Sequence, residues 1–439
     1  MSSREIELSG TPFERGRQYG EIKAKQIKTY YHAKTYEFAH LLPEWKKMAN
    51  AQLKPMQQYC PIAYQEMRGT SAGSQIPLIH LMQLTVFPEL EAFDHFHPFR
   101  CDSCGEVIQT PKWRRCGECD IDVCLTCEGS CKKGCGGELT ETSAQSVPPS
   151  SEETTNKKCT SFVKPEPNKY LVGQTDEENP PYNLHGSLHS IQKMIDENNS
   201  TSLLYTAPGT PCMAGMNGYG LCVLANTLFV PDNNFWNNGA PTLAVTREIL
   251  TKKTLPDAVE YVKSVVLAIP LNFVISMPGY GCSNLEASCV EDKEIRTDEK
   301  IGEVYVHCNH CESESFINRE ILPNPPISTK QRQEKLEHQI QLALTNNISM
   351  ELDWLKNALL KPPIMNPFVI ATILMEPVKG VMHVRFGVPT VSKKKKKKRK
   401  RKGDEKEGEE QGIEDGIRDW RLMEINKNYQ PDYETYTTK

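Results

Sequence analysis

The chain of 439 residues has no long apolar run. Its longest, SVVLAIPLNFVISMP, is interrupted by Pro270 and Asn272 and falls short of the roughly 20 residues that a bilayer-spanning helix needs. The first residues, MSSREIELSG, have no apolar centre of the kind that a secretory signal carries. These absences predict a protein that stays off the membrane and in the cytoplasm, where thiols remain reduced. The sixteen cysteines are then expected as metal ligands, reactive thiols or core residues, not as disulfides. With 38% hydrophobic and 25% charged residues, the chain reads as soluble, with room for several domains and some unstructured stretches.

A net charge of -4 hides a local asymmetry. Lys393 to Lys402, KKKKKKRKRK, is wholly basic, and GDEKEGEEQGIED after it is mostly acidic. Such blocks repel themselves and stay solvated, so a disordered charged insertion is expected over residues 393–418, before a carboxy-terminal tail, 419–439. The sharper alternatives are a nuclear-import signal, which would add the nucleus as a location, and a polyanion contact. The acidic follow-on and the lack of interleaved aromatics weigh against a nucleic-acid partner.

In SGTPFERGRQYGEIKAKQIKTYYHAKTYEFAHLL, Thr11 can cap a helix, Pro12 suits its first position, and Glu14 closes a capping box. Ile22, Ile27, Tyr30, Tyr31, Phe38 and Leu41 give an irregular apolar face. Gly16 and Gly20, four apart, imply close approach to another backbone. A second helical stretch, AYQEMRGTSAGSQIPLIHLMQLTVFPEL, is expected to break at Gly69 and Gly73. Farther on, CTSFVKPEPNKYLVGQT and CMAGMNGYGLCVLANTLF read as strand pairs around turns, and LNFVISM and IGEVYVHCNH as further strands. APTLAVTREILTKKTLPDAVEYVKSVVLAI, TKQRQEKLEHQIQLALTNN and MELDWLKNALLK read as helices, and FVIATILMEPVKGVMHVRFGVPTV as a closing hairpin. Strands, a block of helices and strands again predict a layered α+β architecture.

Cys101 and Cys104, Cys116 and Cys119, Cys124 and Cys127, and Cys131 and Cys135 form four pairs. Thiolates at these spacings can share a tetrahedral zinc, so eight ligands predict two structural ions. Few apolar residues lie between them, and metal would supply folding energy that burial does not. CDSCGEVIQTPKWRRCGECDIDVCLTC resembles a ZZ-type zinc finger, although that family usually ends its ligand set with histidines where Cys131 and Cys135 stand. A closed all-thiolate site has no open position for chemistry, so this module should brace the chain or bind a peptide or protein. Cys308 and Cys311 also have metal-like spacing, but strand alternation would send them to opposite faces, which argues against zinc there.

The polar stretch SSEETTNKK stops at Cys159, where strand-forming sequence begins. A thiol is a useful nucleophile when a base takes its proton, and an amino-terminal cysteine carries such a base in its own α-amine. Cutting the chain between Lys158 and Cys159, by attack of the thiol on the Lys158 carbonyl and hydrolysis, would create that terminus. A buried core cysteine is the plainer reading.

SGTPFERGRQYG, EMRGTSAGSQIPLIHLMQL, CTSF, GMNGYGLCVLANTL, HCNH and TILMEPVKGVMHVRFGVPT occur in one order that resembles the acyl-coenzyme A:isopenicillin N acyltransferase family of self-cleaving N-terminal-nucleophile enzymes. The resemblance implies a four-layer αββα sandwich and a small-molecule amide or acyl donor as substrate, with no catalytic cofactor. It implies Cys159 as nucleophile, Thr160 and Ser161 as its small hydroxyl neighbours, and Asn309 of HCNH as a donor to the developing oxyanion. Asn217 and Asn226 are second candidates for that donor. Arg332 falls where the family has an arginine near the nucleophile; the alternative is a solvated helical arginine. Two departures stand out. Lys158 replaces a small residue, and GQTDEEN offers Glu177, with Asp176 as fallback, where the family tends to have an aspartate.

The expected division is 1–98, the helical part of the hydrolase; 99–137, the zinc module; 138–158, a disordered linker; and 159–392, the catalytic sandwich. The rival reading, a zinc-finger interaction protein on an inactive hydrolase scaffold, draws on the same departures.

Overall fold

The computed structural model describes residues 4–96, 112–116, 121–123, 140–143, 159–166, 169–178, 188–230, 239–287, 303–320, 327–366, 368–386 and 434–438. The charged insertion, Lys158 and seven of the eight proposed zinc ligands lie outside them; of the eighth, Cys116, only the backbone is described.

The amino-terminal region opens with strand β1 (Glu5–Ser9) and a helical block: α1 (Pro12–Glu37), α2 (Leu42–Tyr59), α3 (Pro61–Ser74), α4 (Leu78–Thr85) and α5 (Phe87–Phe96). The capping box forms as expected: Thr11 Oγ1 accepts from the Glu14 N–H at 3.3 Å, and the Thr11 N–H donates back to Glu14 Oε2 at 2.8 Å. The buried stripe of α1 includes Arg15, Lys23 and Lys34, while Ile22 is exposed, which is why its apolar face looked irregular. Gly69 and Gly73 do not break a helix. They lie within α3, and a side chain there would meet the carbonyls of Phe13 and Arg17, as one at Gly16 or Gly20 would meet those of Glu66 and Thr70. Two small-residue stripes thus let α1 and α3 pack backbone to backbone, which outweighs glycine's poor helix propensity. The helix ends instead at Gln75, whose φ is 58°, just ahead of Pro77.

Next come β2 (Lys112–Cys116), β3 (Ile121–Val123) and β4 (Thr140–Ser143), an antiparallel sheet ordered β3-β2-β4. Residues 140–143 fall in the stretch read as a disordered linker, so the small module extends beyond residue 137. Its threonines suit a strand, and Trp113 and Thr142 face each other in register.

The remaining elements build the sandwich: β5 (Thr160–Lys164), β6 (Leu171–Glu177), β7 (Ser190–Ile195), β8 (Thr201–Thr206), β9 (Ala214–Asn217), β10 (Cys222–Thr227), α6 (Thr242–Ile249) and α7 (Leu255–Ser264). They continue with β11 (Leu271–Met277), β12 (Gly281–Ala287), β13 (Tyr305–His307), α8 (Glu314–Ile317), α9 (Ile327–Thr345), α10 (Leu352–Leu359), β14 (Val369–Glu376) and β15 (Val381–Phe386). Strand β16 (Glu434–Thr437) closes the second sheet beside β15, although the sequence there read only as a tail; YETYTT has the aromatic and β-branched content of a strand.

One sheet runs β1-β7-β8-β9-β10-β11-β12 and the other β13-β5-β6-β14-β15-β16. Three apolar cores set the order of layers. Trp45, Leu81 and Val262 of the helices pack with Leu204, Phe273 and Ile275 of the first sheet. Leu203, Met216 and Val274 on that sheet's other face meet Val163, Val172 and Ile373 of the second. Phe162, Leu171 and Leu374 then face Leu336, Leu355 and Leu359 of α9 and α10. The fold is therefore α+β, with layers in the order αββα. Among the described residues, no helix is long and apolar enough to cross a membrane.

Candidate active site

Cys159 stands one residue before β5, and its backbone is held at both ends. Its N–H donates to Asn309 Oδ1 at 2.7 Å, and its carbonyl accepts from Arg332 Nη1 at 2.6 Å. Arg332 projects from α9 and is fully buried, so the solvated alternative does not hold. Its Nη1 also donates to Thr160 Oγ1 at 2.7 Å, its Nη2 donates to Asn309 Oδ1 at 3.0 Å, and Glu177 Oε1 lies 3.7 Å away. A buried guanidinium needs such a countercharge.

Two donors converge on Asn309 Oδ1, which settles the orientation of that amide. The acceptor end faces the Cys159 nitrogen. The donor end, Nδ2, reaches the Thr227 carbonyl at 3.2 Å, so an oxyanion would compete with that carbonyl for it. Of the second candidates, Asn217 has its side chain fully used, accepting from the Tyr219 and Leu221 N–H groups of its own turn and donating to the Leu250 and Lys252 carbonyls just past α6. Asn226 accepts from Ser161 Oγ at 2.8 Å, and its buried Nδ2 has no acceptor among the described residues.

The two carboxylates that the sequence left as alternatives occupy opposite faces of β6, as alternation requires. Glu177 pairs with Arg332 on the helix side. Asp176 lies between the sheets, where its Oδ2 accepts from the Tyr205 hydroxyl at 2.8 Å; His189 Nδ1 is 2.6 Å from the same hydroxyl. Burial, then Asp176, pushes the Tyr205 phenol well above its usual value, which keeps it a donor. Tyr205 and His189 were not singled out in the sequence, because Tyr205 sits in an ordinary strand and His189 just ahead of one.

Cys159 opens onto a cavity of about 80 Å³. Phe87, Met213, Leu243, Leu271 and Ile373 supply its apolar walls, and Glu91, Asp176 and Glu177 are the charged side chains among its described lining. Of the seven cysteines whose side chains are described, Cys159 alone is not buried. Burial pushes the thiols of Cys60, Cys212, Cys222, Cys308 and Cys311 up, away from the reactive thiolate form.

Strand β13 ends at His307, so the alternation argument for Cys308 and Cys311 rested on a strand that stops too early. Both thiols are nevertheless core residues: Cys308 lies 3.6 Å from Thr160 Oγ1, and Cys311 packs with Leu228, Val230 and Phe316. Among the described residues, no group of three or more His, Cys, Asp or Glu side chains could hold a metal ion. His310, next to Asn309, is pushed down to about 4 by burial and then by His307, Lys330 and Arg332, and is neutral at physiological pH.

The family described as acyl-coenzyme A:6-aminopenicillanic acid acyl-transferase matches residues 170–367, a little under half the chain. No curated protein matches in sequence. Similar solved structures include an N-acylethanolamine-hydrolyzing acid amidase ortholog from Caenorhabditis elegans, 11% identical over 50% of this chain and 93% of that one, with a TM-score of 0.38. A mutant conjugated bile acid hydrolase from Clostridium perfringens is 13% identical, with 52% and 89% covered and a TM-score of 0.36. Penicillin V acylase from Agrobacterium tumefaciens is 12% identical, with 52% and 82% covered and a TM-score of 0.33.

Proposed function

We propose that this chain is a self-processing cysteine hydrolase or acyltransferase of the N-terminal-nucleophile kind, acting on a non-peptide amide or acyl substrate. The observation that carries the reading is the clamp on Cys159: two side chains from remote elements, Asn309 and buried Arg332, grip its nitrogen and carbonyl at the mouth of a cavity. A core cysteine has no use for such a clamp. The family match over residues 170–367 adds support.

In processing, Cys159 Sγ attacks the Lys158 carbonyl carbon. The peptide bond breaks, a thioester forms, and the Cys159 nitrogen leaves as an amine. Water then hydrolyses the thioester to the Lys158 carboxylate and the free thiol. In turnover, the new α-amine, with an ordinary pKa near ~8, takes the thiol proton as sulfur attacks the substrate's acyl carbon, and passes it to the leaving amine. The acyl-thioester goes on to water or to an acceptor amine. Asn309 Oδ1 keeps the amine oriented throughout; the oxyanion draws on Asn309 Nδ2 or on the open donor of Asn226. The apolar walls of the cavity favour an amide that carries an apolar group.

The eight clustered cysteines are proposed to hold two structural zinc ions in a module that binds a peptide or protein, or braces the chain; their spacing supports this. Intact mass and amino-terminal sequencing of purified protein, beside Cys159→Ala, test the main reading. Cutting before residue 159 of a 49.7 kDa chain yields fragments of about 18 and 32 kDa, the larger starting at Cys159. A wild-type chain that remains whole transfers the lead to the inactive-scaffold reading.

A further inference from the structure

Asn309 does not lie in a strand; it sits in the turn between β13 and α8, where a side chain has little local reason to keep a fixed position. One buried pair supplies three of the contacts that hold this turn. His307 Nε2 lies 3.0 Å from Glu286 Oε1, and both side chains are fully buried. His307 Nδ1 is 2.7 Å from the Cys308 carbonyl, so it donates there, on the residue just before Asn309. Glu286 accepts the Glu312 N–H on Oε1 at 2.7 Å and the Ser313 N–H on Oε2 at 2.8 Å. The pair therefore grips the turn before and after Asn309. Thr329 Oγ1 adds a third hold by accepting the Asn309 N–H at 2.8 Å.

The two partners belong to different sheets. Glu286 is on β12, the edge of the first sheet, and His307 is on β13, the edge of the second. In register, His307 faces Ser161, two residues past the nucleophile. Burial pushes the Glu286 carboxyl up, but the His307 imidazole and the two N–H groups outweigh it and hold it below the usual carboxylate range. A carboxylate–imidazole pair taken out of water and aimed at three backbone groups of one turn costs desolvation that an apolar pair would avoid. Neither residue lines the cavity.

We infer that Glu286 and His307 are positioning residues for the reaction at Cys159: they set the turn that carries Asn309, and through Asn309 Oδ1 the direction of the Cys159 nitrogen. This rests on the reading of Cys159 as a self-processing nucleophile. Geometry at the reacting nitrogen is where a displacement of about 1 Å costs on the order of 100-fold in rate.

The test follows cleavage of newly made full-length chain in cell-free translation, comparing wild type with Glu286→Ala, Glu286→Gln, Asn309→Ala and the Glu286→Ala/Asn309→Ala double variant. Glu286→Ala should slow cleavage by about 10- to 100-fold, and Glu286→Gln, which keeps one acceptor, should recover part of the loss. The double variant should be no slower than Asn309→Ala alone, because the two act through one contact. A purely structural role would not produce that non-additivity. If Glu286→Ala does not fold, Glu286→Gln and His307→Gln, which drops the Cys308 contact, carry the same cycle. Losses that multiply in the double variant, or folded Glu286 variants that cleave like wild type, overturn the inference while leaving Cys159 in place. A wild-type chain that never cleaves overturns the parent reading and this inference with it.

Discussion

Arg332 and Cys159 are 173 residues apart, yet the buried guanidinium donates to the Cys159 carbonyl at 2.6 Å. The same group touches Thr160, Asn309 and Glu177. It is the hub on which strand β5, the Asn309 turn and helix α9 meet.

Arg332→Met should abolish processing and destabilise the fold by about 3–5 kcal/mol, since it removes a buried cation that faces Glu177 and bonds three neighbouring groups. Adding Glu177→Gln should restore much of the stability and none of the processing. Urea unfolding of both variants, with a gel assay for cleavage, checks this; a processed Arg332→Met chain would show that the clamp is dispensable.

Thiol labelling should pick out Cys159. With zinc present, a short exposure to iodoacetamide followed by peptide mapping should modify it before Cys60, Cys212, Cys222, Cys308 or Cys311, whose thiols burial keeps protonated. Uniformly slow labelling of all six would count against an activated nucleophile.

One buried group and one half-buried group should give stability opposite slopes with pH. Glu89 accepts the Thr242 N–H at 2.7 Å, and burial pushes its carboxyl up to about 7 from 4.5. Between those values the folded chain retains a proton that the unfolded chain has lost, so this group's contribution falls as pH rises. For His310, pushed down to about 4 from 6.5, the unfolded chain binds the proton first, and stability is lost as pH falls through that window. Thermal melts from acid to neutral pH should show Glu89→Gln removing the first slope and His310→Gln the second. Unchanged pH dependence in either variant refutes its assignment.

Cleavage before Cys159 should not separate the two fragments. Strand β1 pairs in parallel with β7, Glu66 forms ion pairs with both Arg15 and Arg247, and Glu248 caps the start of α3 at Ile62 and Ala63. The fragments should elute together in native gel filtration and part only in denaturant. Separation under native conditions would mean that these contacts are too weak to hold the sandwich closed.

The sequence by itself determined what local chemistry decides. The Thr11–Glu14 capping box, the alternating strands on both sides of NGYG, and the change from a polar stretch to a strand at Cys159 were all legible, because each depends on neighbours a few residues away. The α+β class followed from the order of these elements. Local reading failed where packing reversed a propensity. Gly69 and Gly73 look like helix breakers until α1 brings its own glycines against them. Within QRQEKLEHQ the local sequence left open a solvated Arg332, and only packing shows it fully buried. The strand around HCNH stops at His307, and Thr140–Ser143 and Glu434–Thr437 form strands only because β2 and β15 offer them an edge.

Tertiary structure alone decided the site. Asn309 and Cys159 are 150 residues apart, and the separation of the Asp176 and Glu177 roles depends on which layer each face of β6 meets. No spacing in the chain encodes that Asn309 turns its acceptor to the Cys159 nitrogen; the two sheets must first pack together and α9 must bury Arg332 against the second of them. Hydrogen bonds of that range form only after the apolar cores have set the distance between layers, so their geometry belongs to the packing and not to any stretch of sequence.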